Sequence, residues 1–585
     1  MKNINLVAIL SKQSLRSAAG VLLIVCFFFI GNSPRLLSLD AHWSSDEARW
    51  LHRSGQFMNA VEHGRFSDTL IAYHPGVITM WVAGFRAFFT YPRLDLSNLA
   101  LSRWFIGIVI SVGIGVACIL IYRLFGQWIT LVSFGYLAVS PLFLAQTRRV
   151  HTDALATIFI LLSVLLILLY CKNSQKHRYL TLSGITFGLA VLSKSYSLIL
   201  VAWIPVCLLL FWKYREKRSR RFFIFIAELV CFLNSGMLTF IVLWPVFWKP
   251  AFGLLAVALL GTTVLLLDTL KKQNERKWVS ILLLLFTCIV LALVSTIAIR
   301  IVWLIFDRVN WAVTTPHEVE HFFLGKVVYD PGWLFYPLVL TIKGTPLMLP
   351  LTIIGCILLW HHRKDSTVAS QNLRVALAIV AGVVLFTVCL SVTSKKFSRY
   401  LLPAFLMLEI LAAIGSVQGI KWVYNLLSTH FGTERTVPFK KIVVVIACIG
   451  MLFVQVFPVL ALHPYYGTYY NPCWKVTDII KIITVGEASG LDIAAKYLNE
   501  KPNAERLVVQ VSPLAAEFVH HYFQGFVYRA DRNRGYNPNY EIVYIRDSQI
   551  GRVPQTGTLN GELEHVITLN GIDHVWIYKV KPKEN

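Results

Sequence analysis

The sequence contains little charge for its length. Only 15% of its 585 residues are Asp, Glu, Lys or Arg, whereas 56% are hydrophobic. Soluble globular domains carry about 25% charged residues, so this shortage excludes an ordinary soluble protein. The apolar residues form many runs long enough to cross a bilayer, and the sequence therefore predicts an α-helical polytopic membrane protein.

Acidic residues are scarcer than basic ones. The chain has 31 Asp and Glu against 55 Lys and Arg, which gives a net charge of +24. Much of this excess lies in short clusters between apolar runs, where cytoplasmic loops of membrane proteins concentrate positive charge. We therefore expect no nucleic-acid partner.

Paired cysteine motifs are missing. Nine of the ten cysteines lie in or at the ends of apolar segments, leaving only Cys473 in a polar region. This pattern excludes a readable disulfide framework and a CxxC metal site.

Five basic clusters fix the predicted orientation. If all five are cytoplasmic, the N-terminus is cytoplasmic too, and the first span is an uncleaved signal anchor. The sequence then predicts about 13 transmembrane helices, at 17–37, 102–125, 127–146, 154–171, 179–193, 196–212, 222–247, 251–268, 278–304, 337–360, 375–393, 401–424 and 442–462.

The polar segments divide the chain further. Residues 1–462 form the predicted transmembrane domain, with a first external loop at 38–101 and a long external loop at 305–336. Residues 76–90 are expected to lie as a helix in the membrane interface, with Trp81 facing lipid. Residues 463–585 alternate strand-like and helix-like runs, which predicts a small extracytoplasmic α/β domain.

Charged side chains converge on the predicted external face. Asp46 and Glu47 lie in the first loop, and Asp153 begins a span. Lys194 ends another span, and the segment SKKFSRY places Lys395, Lys396, Arg399 and Tyr400 outside, against the usual charge bias. Carboxylates could accept a proton there while cations hold an anionic phosphate at the membrane surface.

Four motifs carry a family resemblance. In order, SSDEARW, TRRVHTDALATIF, GLAVLSKSYSLIL and KKFSRYLLPAF resemble the successive motifs of the GT-C membrane glycosyltransferases. The branch that they resemble contains the protein O-mannosyltransferases and the lipid A aminoarabinose transferases. The resemblance implies a GT-C fold over about residues 17–420, and transfer of a sugar with inversion from a polyprenyl-phosphate donor to a protein, lipid or glycan acceptor outside the cytoplasmic membrane.

The resemblance also implies roles for the residues. Asp46 is then the general base, and Glu47 and Asp153 orient the acceptor or the sugar. The residues that would bind the donor phosphate are Lys194 and Arg399, with Lys395 or Lys396 as a further candidate. Tyr400 would then lie near the lipid or the sugar. His74 stands where relatives often carry a lysine, and its pH-dependent charge would make it a weaker anion ligand.

Two other classes of function stay open from the residues alone. His317, Glu318 and His321 spell H-E-x-x-H, the motif of zinc proteases, so a membrane metalloprotease or a divalent metal clip is one alternative. A transporter with buried charges along an ion path is the other.

Overall fold

The structure is a computed structural model. It describes residues 25–41, 43–72, 75–85, 99–173, 176–212, 221–272, 303, 307, 310, 314, 320–364, 366–430, 437–532 and 535–581. His74 and His317 lie outside these residues. The predicted span at 278–304 lies outside them except for residue 303.

Apolar helices make up most of the chain before residue 463. Those named below are α1 (25–36), α2 (Ser45–Glu62), α3 (Val77–Gly84), α4 (Leu99–Phe125), α5 (Gln127–Val139), α6 (Pro141–Thr147), α7 (Thr152–Lys172), α8 (Arg178–Ser193), α9 (Ile199–Leu210), α10 (Arg221–Leu243), α11 (Pro250–Lys272), α12 (Phe335–Lys343), α13 (Met348–His361), α14 (Thr367–Val392), α15 (Leu402–His430) and α16 (Val437–Leu462).

Several of these helices are long and apolar enough to cross a membrane. Within the described residues there are 5 such helices, or up to 7 if each bent pair of helices counts as one span. This confirms a multi-pass membrane protein. Fewer than the predicted 13 spans are counted in this part of the chain. The predicted spans at 17–37 and 278–304 lie partly or almost wholly outside the described residues, and α8 and α9, with 16 and 12 residues, are shorter than the roughly 20 residues that a span needs.

Two predicted spans are broken. The span at 127–146 bends by 60° between α5 and α6, where Pro141 begins the second helix. The span at 337–360 bends by 99° between α12 and α13, across the sequence GTP. Proline lacks the backbone N–H that would continue a helix, so each break coincides with a residue that cannot propagate the hydrogen-bond ladder.

Helix α3 does not lie in the interface as predicted. Six of its eight residues are buried in protein. Trp81 is half-buried, its Nε1 donates to the carbonyl of Leu243 at 2.8 Å, and its ring packs on Phe57 at 5.0 Å. The expectation that Trp81 faces lipid is therefore wrong. The helix packs instead between α2 and the helix bundle.

Close helix packing depends on small residues. A Cβ on Gly415 of α15 would lie 1.8 Å from the carbonyl oxygen of Leu351 in α13. A Cβ on Gly184 of α8 would lie 2.4 Å from that of Phe232 in α10. Glycine lets the backbones of both pairs approach directly, as in other membrane helix bundles.

The C-terminal residues form a mixed sheet with helices. Its strands are β3 (Val508–Val511), β4 (Phe526–Arg529), β5 (Tyr540–Tyr544), β6 (Gly561–Leu569) and β7 (Ile572–Val580), after a separate hairpin of β1 (His321–Phe323) and β2 (Lys326–Val328). The sheet order is β4-β3-β5-β7-β6, with β3 parallel to β4 and β5, and β7 antiparallel to β5 and β6. The helices are α17 (Val476–Ile482), α18 (Leu491–Asn499), α19 (Ala516–Tyr522) and α20 (Ile545–Gln549). The runs predicted as strands near 507, 540 and 573 are strands, and the run predicted as a helix near 516 is a helix.

The start of α2 is fixed by a buried ion pair. Arg103 of α4 donates to Glu47 through Nε at 2.7 Å and Nη2 at 2.6 Å, and both side chains are almost completely buried. The same carboxylate accepts the backbone N–H groups of Ser44 and Val150. Glu47 therefore ties α2 to α4 and to the turn before α7.

We predict that Glu47→Gln destabilises the protein strongly. The variant leaves the Arg103 guanidinium buried without its countercharge, and breaking such a pair costs about 3–5 kcal/mol. Thermal unfolding of the detergent-purified protein should show a clearly lower midpoint. Glu62→Gln, at an exposed position of the same helix, is the control, and equal midpoints for the two variants would contradict the assignment.

Candidate active site

A cavity of about 150 Å³ lies between the helix bundle and the C-terminal residues. Asp46, His151 and Arg399 line its bundle side, and the segment 483–488 together with Arg546 lines the other side. The C-terminal region therefore covers the site, and the hairpin β1–β2 helps hold it there because Phe323 bridges to Ile483.

Asp153 is the most buried carboxylate of the site. Its side chain is 0% exposed, and it lies at the first turn of α7. Oδ1 accepts from Lys194 Nζ at 2.6 Å, while Oδ2 lies 2.7 Å from His151 Nδ1 and 3.2 Å from Arg399 Nε. Three charged or polar partners thus converge on one carboxylate from three separate segments.

Asp46 lies beside this group and faces the cavity. Its side chain is 35% exposed, and Oδ2 lies 3.2 Å from Arg399 Nη2 and 3.6 Å from His151 Nε2. Burial acts to raise the pKa of Asp46, but Arg399 and His151 outweigh it and lower that pKa to about 2. The carboxylate is therefore ionised at neutral pH.

His151 joins the two aspartates. Its Nδ1 faces Asp153 and its Nε2 faces Asp46. Burial lowers the pKa of His151 below its usual value, although Asp153 opposes this shift. The imidazole is therefore neutral at pH 7 and lies between two carboxylates.

Aromatic rings surround the cations of the site. Lys194 Nζ lies 4.2 Å from the ring centre of Tyr400, and Arg399 Cζ lies 4.2 Å from that of Phe397. Such cation–π contacts hold the positive groups in place without neutralising them. Tyr400 thus packs on the charged group.

The other predicted phosphate ligands are arranged differently. Lys396 is 1% exposed, and its Nζ donates to Asp330 Oδ1 at 2.6 Å, so its charge is already compensated. Lys395 is half-buried and does not line the cavity. Glu47 is engaged by Arg103 and likewise does not line the cavity.

The structure therefore joins Asp46, Asp153, Lys194 and Arg399, which the sequence analysis selected. It adds residues to which that analysis gave no role: His151, Arg149, Lys343, Glu487 and Arg546. His151 and Arg149 could have been found from their closeness to Asp153 in the chain. Glu487 and Arg546 carry no such signal, because only the tertiary fold brings them to the site.

The zinc-protease motif is not supported by its second histidine. The motif needs both histidines on one helix, whereas His321 begins strand β1. His317 and Glu318 lie outside the described residues. Within the described part of the chain, no group of three or more His, Cys, Asp or Glu side chains could hold a metal ion.

Comparison with known proteins identifies one family. The model of the dolichyl-phosphate-mannose-protein mannosyltransferase family matches residues 97–235, about a quarter of the chain. This confirms the resemblance to protein O-mannosyltransferases for a segment that contains Asp153 and Lys194. No curated protein sequence compared with the chain is significantly similar.

Three solved structures are similar in outline. The apo oligosaccharyltransferase of Archaeoglobus fulgidus has a TM-score of 0.49 and 11% identity, with 86% of this chain and 64% of that chain covered. The A. fulgidus oligosaccharyltransferase AglB in complex with an inhibitory peptide and a dolichol-phosphate has a TM-score of 0.49 and 10% identity, with 97% of this chain and 75% of that chain covered. ArnT from Cupriavidus metallidurans bound to undecaprenyl phosphate has a TM-score of 0.39 and 15% identity, with 95% of this chain and 98% of that chain covered. The chain thus spans less than two thirds of the first of these proteins.

We predict strong energetic coupling between Asp153 and Lys194. Asp153→Asn leaves the Lys194 ammonium buried without its countercharge. Lys194→Met leaves the buried Asp153 carboxylate without the cation that donates to its Oδ1. The double variant should be more stable than the two single effects predict, by about 1–3 kcal/mol. A thermal-unfolding cycle measures this.

The control cycle is the surface pair of Arg529 and Asp531, whose side chains are 38% and 46% exposed. Exposed pairs contribute about 0–1 kcal/mol. A coupling for Asp153 and Lys194 no larger than that of this control would contradict the buried network.

Proposed function

We propose that the protein is an integral-membrane glycosyltransferase. It moves a sugar from a polyprenyl-phosphate donor to an acceptor on the outer side of the cytoplasmic membrane. The observation that carries the proposal is the joining of Asp46, Asp153, Lys194 and Arg399 in one ion-pair network, of which Asp46 and Arg399 line the cavity. These residues come from four separate motifs of the resemblance. The motifs of Asp153 and Lys194 lie in the segment that the mannosyltransferase family model matches.

Asp46 is the general base of the proposed reaction. It is the carboxylate of the group that is partly exposed to the cavity, whereas Asp153 is completely buried. The acceptor oxygen attacks the anomeric carbon, the bond from that carbon to the phosphate oxygen breaks, and Asp46 takes the acceptor proton. The phosphate leaves with the polyprenyl chain and the configuration inverts.

The low pKa of Asp46 sets a condition on this step. A carboxylate whose pKa is lowered to about 2 is a weak base, and at neutral pH Arg399 is the charged partner that lies closest to it. An anionic phosphate placed in the cavity beside Arg399 offsets part of that positive charge at Asp46 and raises the pKa of Asp46. The base then becomes effective when the donor is bound.

Asp153 positions the group and does not meet the substrate. Its carboxylate holds Lys194, His151 and Arg399 in place. The proposed site therefore has one reacting carboxylate and one structural carboxylate. A zinc protease is disfavoured, because His321 lies in a strand.

We predict that Asp46→Asn abolishes sugar transfer while the protein stays folded and inserted. The amide keeps the shape of the side chain but cannot accept the proton. Transfer from a panel of polyprenyl-phosphate sugars, followed as donor consumption, measures this. Asp68→Asn, at an exposed position of the same loop, is the control. Turnover by Asp46→Asn equal to that of the control would refute the role of Asp46.

We predict that kcat/KM falls as the pH is lowered through the pKa of His151, which lies below its ordinary value near 6.5. Protonated His151 would place a positive charge 3.6 Å from Asp46 Oδ2 and weaken the base. Asp153, Lys194 and Arg399 keep their charges over this range. In His151→Gln the fall should move to lower pH, so an unchanged pH profile would contradict the assignment.

A further inference from the structure

The cavity has more positive than negative side chains around it. Five basic side chains line it, while only Asp46 and Glu487 are acidic among its described lining residues. The basic ones are Arg149, Lys343, Lys396, Arg399 and Arg546. The cavity is therefore cationic even with its own carboxylates ionised.

Three of these cations have a carboxylate partner. Arg149 pairs with Glu487 at 2.9 Å, Lys396 pairs with Asp330, and Arg399 pairs with Asp46. Lys343 and Arg546 are different, because neither forms an ion pair with any described carboxylate. Two positive charges are left over at one cavity.

Lys343 is held by neutral groups. Its Nζ donates to the carbonyls of Gly467 and Tyr469 at 2.9 Å each, and it lies 3.6 Å from the ring centre of Tyr470. These contacts position the ammonium at the cavity wall without compensating its charge.

Arg546 is still less satisfied. Among the described residues its guanidinium forms no hydrogen bond, and its Nε is shielded from solvent. Burial lowers the pKa of Arg546 and the nearby charge of Arg399 lowers it further, while Tyr544, Glu487 and Asp547 act to raise it. Keeping a guanidinium in this position is costly unless an anion accepts its hydrogen bonds.

The backbone between these two cations is shaped around the cavity. Gly486, Glu487 and Ala488 have φ values of 121°, 89° and 67°. Non-glycine residues adopt positive φ only at a cost in free energy, because the Cβ approaches the following carbonyl oxygen. The turn is held by the Ala488 N–H, which donates to the Tyr544 hydroxyl at 2.7 Å. Burial acts to raise the pKa of Glu487, but Arg149 and Lys343 outweigh it and lower that pKa.

We propose that Arg546 and Lys343 form an anion subsite that holds the phosphate of the lipid-linked donor. The inference rests on the proposed function and deepens it. Arginine presents a planar fork of donors that matches phosphate oxygens, and a donor phosphate compensates both leftover charges. The C-terminal region then takes part in donor binding directly.

This assignment differs from the ligands that the resemblance implied. Lys194 and Lys396 already have carboxylate partners at 2.6 Å each. Arg399 is shared between Asp46 and Asp153. Arg546 offers its guanidinium without displacing any described carboxylate, so an incoming phosphate has no internal competitor for it.

The test compares two probes on the full chain in detergent. A polyprenyl phosphate and the polyprenol of the same length differ only in the phosphate. We expect Arg546→Gln to bind the polyprenyl phosphate at least 10-fold more weakly than the wild type and to bind the polyprenol equally well. Arg546→Lys should recover part of the loss, and Arg506→Gln, at an exposed position of the same region, should behave as the wild type.

Several results would overturn the subsite. If Arg546→Gln binds the polyprenyl phosphate as the wild type does, Arg546 does not hold the phosphate. Equal losses for both probes with a lowered unfolding midpoint would make its role structural. Normal phosphate binding with a raised KM for the acceptor would place the anion on the acceptor. If the wild type itself does not distinguish phosphate from polyprenol, the proposed donor fails, which is a separate outcome.

Discussion

The site depends on the completely buried carboxylate of Asp153. An unpaired ion in such a place would cost several kcal/mol, so its partners must come with it. Lys194 donates to one oxygen, and His151 and Arg399 lie within 3.2 Å of the other. Because none of these contacts can be lost cheaply, the carboxylate fixes the ends of α7 and α8 and the start of α15 relative to one another.

The neighbouring carboxylates Asp46 and Glu47 show how one helix separates two functions. Successive residues of a helix point about 100° apart, so the first turn of α2 can direct one acid to the cavity and the other to the core. Glu47 meets Arg103 and becomes a structural ion pair, whereas Asp46 stays partly exposed beside Arg399. The pair of acids in the sequence is thus one carboxylate that faces the cavity and one that anchors the helix.

Much of this could be predicted from the sequence, and the physical reasons for the rest can be named. Apolar length and basic clusters predict spans, and α4, α7, α14 and α15 lie where they were expected. The bends between α5 and α6 and between α12 and α13 depend on packing that hydropathy does not encode. The burial of Trp81 was missed because an aromatic, apolar helix has the same pattern at a lipid interface and in a protein core.

The charges of the site show the same limit. Four charged residues of the site lie in recognisable sequence motifs, so the sequence alone is enough to select them: Asp46, Asp153, Lys194 and Arg399. Whether a lysine is free to bind phosphate depends on a partner such as Asp330, which lies 66 residues from Lys396. The unpaired state of Arg546 is likewise invisible until the C-terminal sheet is placed on the bundle.

A single exchange of partners links these features. In the structure Arg399 divides its guanidinium between Asp46 and Asp153, and the charges within the network nearly balance. In the proposed reaction, a phosphate that binds Arg546 and Lys343 brings negative charge to the cavity that Arg399 also lines, with the following consequence for the two aspartates. Asp153 is too deeply buried to give up its share, so Asp46 loses positive charge and gains basicity. The same buried carboxylate that holds the site together thereby makes the exposed one respond to the donor.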